Sequence, residues 1–262
     1  MRRYLRLLGV QLRASLLLAL QYRAEFLLDG FVEVFWMVPA IIPLAVVFRT
    51  RDAVGPWSFG EALMVVGWFT FLQGVLEGVI NPSLATVVEH IRKGTLDFVL
   101  LKPADAQFLV STARFQPWQC VNVFTAVGIF AWGFHELGRW PRPGDVGVAT
   151  VAMLAAVVVL YSLWILTVSA AFYVVRIDNL SQLFNAIFDA ARWPVSVFPR
   201  AVRVVFTFVI PLAVMTTFPA QALLGILAPA HLLGALAGAA LAFAVARVVW
   251  KASIARYTSA GG

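Results

Sequence analysis

Repeated apolar runs, each close to the length of a membrane-crossing helix, dominate this sequence, with short basic or proline-bearing segments between them. An α-helix needs about 20 apolar residues to cross the hydrocarbon core of a bilayer. A soluble fold of this length cannot hide so many runs, because its exterior has to be wetted. The balance of residue types agrees: 61% of the 262 residues are hydrophobic and 13% are charged, where soluble domains carry about 25% charged residues. The expected fold class is therefore all-α integral membrane, with a single membrane domain over residues 1–262 and little left over for a soluble catalytic module.

Residues 4–22 read as an amphipathic helix. At the helical period Arg2, Arg6 and Arg13 share one narrow face, and Leu5, Leu8, Leu12 and Leu16 lie a quarter turn away. That pattern suits a helix lying in the membrane surface, arginines toward lipid phosphates. Arg13 and Arg23 interrupt the run and no small-residue cleavage site follows, so the segment is read as part of the mature protein. Spans are expected at about 26–48, 62–84, 115–134, 146–175, 204–224 and 231–250, six in all, with a cytoplasmic loop at 85–114. Orientation follows from charge. With cytoplasmic termini and 179–200 kept on the cytoplasmic side, only Arg49, Arg51, Arg139 and Arg142 of the 20 lysines and arginines fall outside. Basic residues gather in cytoplasmic loops. The segment 179–200 is accordingly expected as a cytoplasmic or interfacial helix, and 219–229 as a short external re-entrant turn.

The net charge of +7 belongs to these loops rather than to a nucleic-acid surface. Cys120 is the single cysteine, so no intrachain disulfide can form. His90, His135 and His231 are isolated and form no metal-spaced set. No phosphate-binding G-x-x-x-x-G-K-[ST] loop is present, nor any H-E-x-x-H or G-x-S-x-G motif.

The most informative stretch is Ile91-Arg92-Lys93-Gly94-Thr95-Leu96-Asp97-Phe98-Val99-Leu100-Leu101-Lys102-Pro103, in the loop between the second and third spans. Gly94 ends the preceding helix and Pro103 stops the next. The result is a short amphipathic helix with charged flanks. A loop exposes Leu96, Phe98, Val99, Leu100 and Leu101 only where lipid headgroups or a partner protein cover them.

The pattern Arg92-Lys93-Gly94-Thr95-Leu96-Asp97 followed by Leu100-Leu101-Lys102-Pro103 resembles that of the ABC-type-2 exporter permeases, closest to their viologen-exporter-like branch. A second similarity is Asn179-Leu180, Phe184, Phe188, Arg192-Trp193-Pro194 and Phe198, then Pro219-Ala220 and Leu223-Leu224-Gly225. The resemblance covers most of the chain, from Tyr4 to Tyr257. It implies a six-helix permease bundle of a bacterial inner membrane, both termini cytoplasmic. It implies pairing with a second permease, identical or a sibling, and a separate ABC ATPase subunit that binds ATP and Mg. That subunit would dock on Arg92, Gly94, Leu96, Asp97, Leu100, Lys102 and Pro103. This chain itself would be no enzyme.

Within the second span Gln73, Glu77 and Asn81 recur every four residues and form one stripe. Gly74 and Gly78 flank Glu77 as a G-x-x-x-G pair suited to close helix packing, with Gly67 two turns earlier. The stripe is a candidate for the substrate path; the alternative is a structural pairing of Glu77 with an arginine such as Arg92 or Arg114. Gly234 and Gly238 form a second pair, read as packing. A different functional class stays open here, an ion- or proton-coupled secondary transporter. Such folds often show inverted repeats and several midplane acidic residues; no repeat is visible in this sequence, and most of its acidic residues lie near the ends of spans. A membrane-embedded enzyme has no nucleophile–base or metal set to support it.

Overall fold

The computed structural model describes residues 2–21, 23–51, 53–173 and 178–257, which contain helices and no strand. Helix α1 is Arg2–Gln21 and α2 is Arg23–Thr50. Helix α3 runs over Phe59–Arg92, α4 over Pro117–Leu137 and α5 over Pro143–Phe172. Helix α6 is Asp178–Asp189 and α7 is Pro229–Ala255. By length and composition α3, α4, α5 and α7 can each cross a membrane. The helix boundaries follow local chemistry. Ser58 and Glu61 form a reciprocal capping box at the start of α3. Gly138, at φ 63°, closes α4 in the left-handed conformation that glycine adopts without strain. Pro143 and Pro229 open α5 and α7 at the first helical position, where proline's missing N–H costs nothing.

Helix α3 is the central column. The buried share of its apolar window is 72%, against 17% for α7 at the periphery. Gly60, Gly67 and Gly74 recur every seven residues, so they share a face. Methyl groups placed there would meet α4: Leu137 and the Gly133 carbonyl at Gly60, the Phe130 ring at Gly67, Asn122 and the Gln119 carbonyl at Gly74. Near its end α3 widens into one π-helical turn, Leu76–Ile80. The sequence gives a reason: Pro82 lacks the N–H that would serve the Gly78 carbonyl in an α-helix. That carbonyl instead accepts the Gln116 backbone N–H at 2.8 Å.

At 34 residues, α3 is roughly 50 Å long, so its two ends define opposite faces of the molecule. Helix α1, the end of α5 and the end of α7 lie at the Arg92 end: Phe172 packs its ring against Trp250 and Tyr257. Helix α2 begins there too, with Gly30 beside Val121, and finishes with Phe48 against Phe59 at the other end.

The segment after α5 corrects two expectations. Residues 179–200 do not stay at the Arg92 end. Phe188 and the Arg192 guanidinium lie against Phe69 partway up α3, and Ser196 Oγ accepts the Trp57 indole N–H at 2.7 Å at the far end. The chain thus traverses the bundle between α6 and residue 197. Nor is 204–224 a continuous span. It turns at Ile210–Pro211 between two π-helical turns, Val205–Val209 and Ala213–Thr217. It starts and finishes at the Trp57 end, where Arg203 donates to the Ser196 and Phe198 carbonyls and Gly225 sits beside Asp145. Arg200 and Arg203 therefore leave the set expected on the cytoplasmic side. Counting charges along the sequence cannot see where this stretch turns: exposed Arg203 rests on the Ser196 and Phe198 carbonyls, and half-buried Arg192 lies on the Phe69 ring beside Asp189.

Candidate functional site

The loop between α3 and α4 is built from tight local structure. Helix α3 ends in a Schellman motif: the Thr95 N–H bonds the His90 carbonyl at 2.9 Å, and the Gly94 N–H bonds the Ile91 carbonyl at 3.2 Å. Gly94 takes φ 65°, which that motif requires. His90 Nδ1 and Thr95 Oγ1 add a bond of 2.8 Å across the same turn. A single helical turn follows, Asp97–Leu100.

The turn has an inside and an outside, and this revises which residues can meet a partner. Leu96 is fully buried (0%) and belongs to the same core cluster as Leu84, Val87 and Val110. Val99 and Leu100 pack partly against that cluster. Phe98 and Leu101 point away, 71% and 80% exposed. Arg92, Lys93, Lys102 and Pro103 are exposed around them, and Asp97 is half-buried. Leu96 is thus an anchor rather than a contact surface, because docking against the core sets the helix phase.

Three further ties hold the loop. Ser83, fully buried, donates to the Arg114 carbonyl at 2.6 Å and accepts the Arg114 N–H at 3.0 Å. Ser15, the buried residue of α1, accepts the Phe115 N–H at 3.2 Å. Asp105 caps the short helix Ala106–Ser111 by accepting the Phe108 N–H at 3.0 Å. The Asp105 backbone N–H reaches the Tyr4 hydroxyl at 3.3 Å, and the Tyr4 ring meets Phe108 edge-on.

The Asp105 carboxylate forms a forked ion pair with Arg247 of α7, each oxygen facing a different guanidinium nitrogen. Arg247 also donates to Gln107 Oε1 at 2.7 Å. Gln107 Nε2 donates to the Tyr161 hydroxyl of α5 at 3.0 Å, and Ser111 lies 2.7 Å from that hydroxyl. The hydrogen bonds from Arg247 hold Asp105 below the usual carboxylate range, against the opposing effect of partial burial. Sequence reasoning missed this network. Its one signal was Arg247 itself, a cation late in an apolar span, where a charge needs a partner.

The stripe on α3 is half-buried. Glu77 Oε2 accepts from Asn81 Nδ2 at 2.8 Å, one turn on. Gly74 and Gly78 lie against the start of α4 and the preceding turn, where added methyl groups would meet Asn122 and Gln119. Gly234 and Gly238 face open space. On α1, Arg2, Arg6 and Arg13 are exposed, and so are Leu5, Leu12, Leu16 and Leu17. Among the described residues no group of three His, Cys, Asp or Glu side chains is placed to hold a metal ion.

No curated protein and no solved structure matches the chain. Residues 34–261, most of the sequence, match the family described as ABC-2 family transporter protein. With its long apolar helices and the bundle just described, the chain belongs to the ABC-2 transporter family and is a membrane-embedded transport permease.

Proposed function

We propose that this chain is one of two six-span permease subunits of an ATP-driven exporter, and that a separate ABC ATPase docks on the turn carrying Phe98 and Leu101. One observation carries the reading. Two large apolar side chains stand out from a short turn that is itself pinned by Leu96, Ser83 and Asp105. Exposed apolar groups on a fixed support, ringed by Arg92, Lys93 and Lys102, have the form of a protein contact. The six crossings are α2, α3, α4, α5, the segment 178–197 and α7, with 200–224 re-entering from the outside. Both termini are cytoplasmic in this reading, in a bacterial inner membrane, and the chain belongs to the viologen-exporter-like branch. The second permease is an identical copy or a sibling.

ATP and Mg belong to the partner subunit. ATP would act by its differential affinity for two states of the assembly, pressing on the turn and shifting the paired bundles between inward- and outward-facing forms. The test is copurification in mild detergent. Wild-type permease should bring down an ABC ATPase; Phe98→Asp and Leu101→Asp should lose it while eluting as folded protein. Retention of the ATPase by both variants would sink the assignment of the docking turn. A wild-type preparation free of any ATPase would sink the exporter reading itself.

A further inference from the structure

A docking turn is useful only if its movement reaches the helices. Packing seats α7, the most peripheral of the four long apolar helices, along α5 through an extensive seam that includes the small residues Ala235, Ala239 and Ala246. Apolar contact of that kind is non-directional, and this seam joins α7 to α5 rather than to the loop that carries the docking turn. Arg247 supplies a different connection. Its guanidinium grips both carboxylate oxygens of Asp105, four residues beyond Leu101, and bonds Gln107 as well. Gln107 passes the link to Tyr161 on α5, and the Asp105 backbone passes it to Tyr4 on α1.

We propose that Arg247 is a positioning residue for energy transfer: it locks the loop that carries the docking turn to α7 and, through Gln107, to α5, so that the loop ends of both helices move with the turn. The inference rests on the docking proposal and adds the route by which force leaves the loop. The chemistry favours it over a stabilising role. A partly buried ion pair contributes little net stability compared with apolar groups of similar size. A bidentate arginine–carboxylate pair fixes direction as well as distance, which neither an apolar contact nor a lysine does.

The test uses the permease purified with its ATPase in lipid nanodiscs, diluted with unlabelled permease. Spin labels are attached at the native, exposed Cys120 on α4, which takes no part in the network, and at Lys251→Cys, an exposed site near the end of α7. The distance between them is measured without nucleotide and after trapping with ATP and vanadate. Trapping should shift the distance in the otherwise wild-type complex. In Arg247→Leu, which keeps apolar packing but removes the fork, the complex should still assemble and hydrolyse ATP while the shift is lost. The reversed pair, Asp105→Arg with Arg247→Asp, should regain it. An undiminished shift in Arg247→Leu overturns the proposal, even if that variant melts at a lower temperature. A reversed pair that behaves like Arg247→Leu also overturns it. A preparation lacking the ATPase altogether refutes the docking proposal, and this one with it.

Discussion

Gly74→Ala puts a methyl group where α3 meets α4. The nearest atoms would be Asn122 Cβ at 2.9 Å and the Gln119 carbonyl oxygen at 3.2 Å. Neither is the end of a flexible side chain, so the helices must separate. Overpacking of this kind costs about 1–3 kcal/mol. Alanine also returns about 1 kcal/mol of helix propensity over glycine. Gly238→Ala provides the control, because a methyl there meets nothing within 4 Å. Both substitutions carry the same propensity gain, so their difference isolates the steric penalty. We expect Gly74→Ala to be less stable than Gly238→Ala by about 1–3 kcal/mol, which at about 2–4 °C per kcal/mol is a separation of several degrees in apparent Tm. The assay is thermal unfolding of purified permease in mild detergent, read by the loss of the monodisperse peak on size exclusion. Equal melting temperatures would refute the argument that α3 and α4 touch through their backbones at Gly74. A Gly238→Ala protein that melts lower than Gly74→Ala would show that the open face of α7 is occupied in the assembly.

Three further outcomes are expected. Ser83→Ala leaves the Arg114 carbonyl and N–H without their buried partner, which should cost about 1–3 kcal/mol; hydrogen exchange at Arg114 and Phe115 should accelerate, and unchanged exchange would count against the clasp. Leu96→Asp places a carboxylate at a fully buried site and should abolish folded protein, whereas Phe98→Asp should express and elute normally; the two are compared by size exclusion. Asp105 has its carboxyl held below the ordinary value of 3.8, so its contribution is complete above that value and lost as pH falls through the lower folded-state value. The stability gap between wild type and Asp105→Asn should therefore hold from neutral pH down to about pH 4 and close below it. With the Asp105 side chain 35% exposed, screening keeps that gap small, and added salt should shrink it further.

The sequence determined the class of this protein and most of its long helices. Runs of apolar residues over about 20 positions have one home, a bilayer, whatever their order in space. Gly94 could be read as a helix stop, because its left-handed conformation is a local requirement. The close approach at Gly74 and Gly78 was legible for the same reason, since spacing along one helix sets a shared face. Other features depended on partners far away in the chain. The path of 178–197 turns on Trp57 meeting Ser196 and on Phe69 receiving Arg192; read alone, its arginines and prolines resemble a surface segment. The outward face of the turn Asp97–Leu100 could not be derived from spacing, because a helix of four residues takes its phase from what it packs against. The pair Asp105–Arg247 joins positions 142 residues apart. Local pattern fixes periodicity and conformation, but only the tertiary fold decides which distant groups share a place, and the candidate site of this permease is made of such meetings.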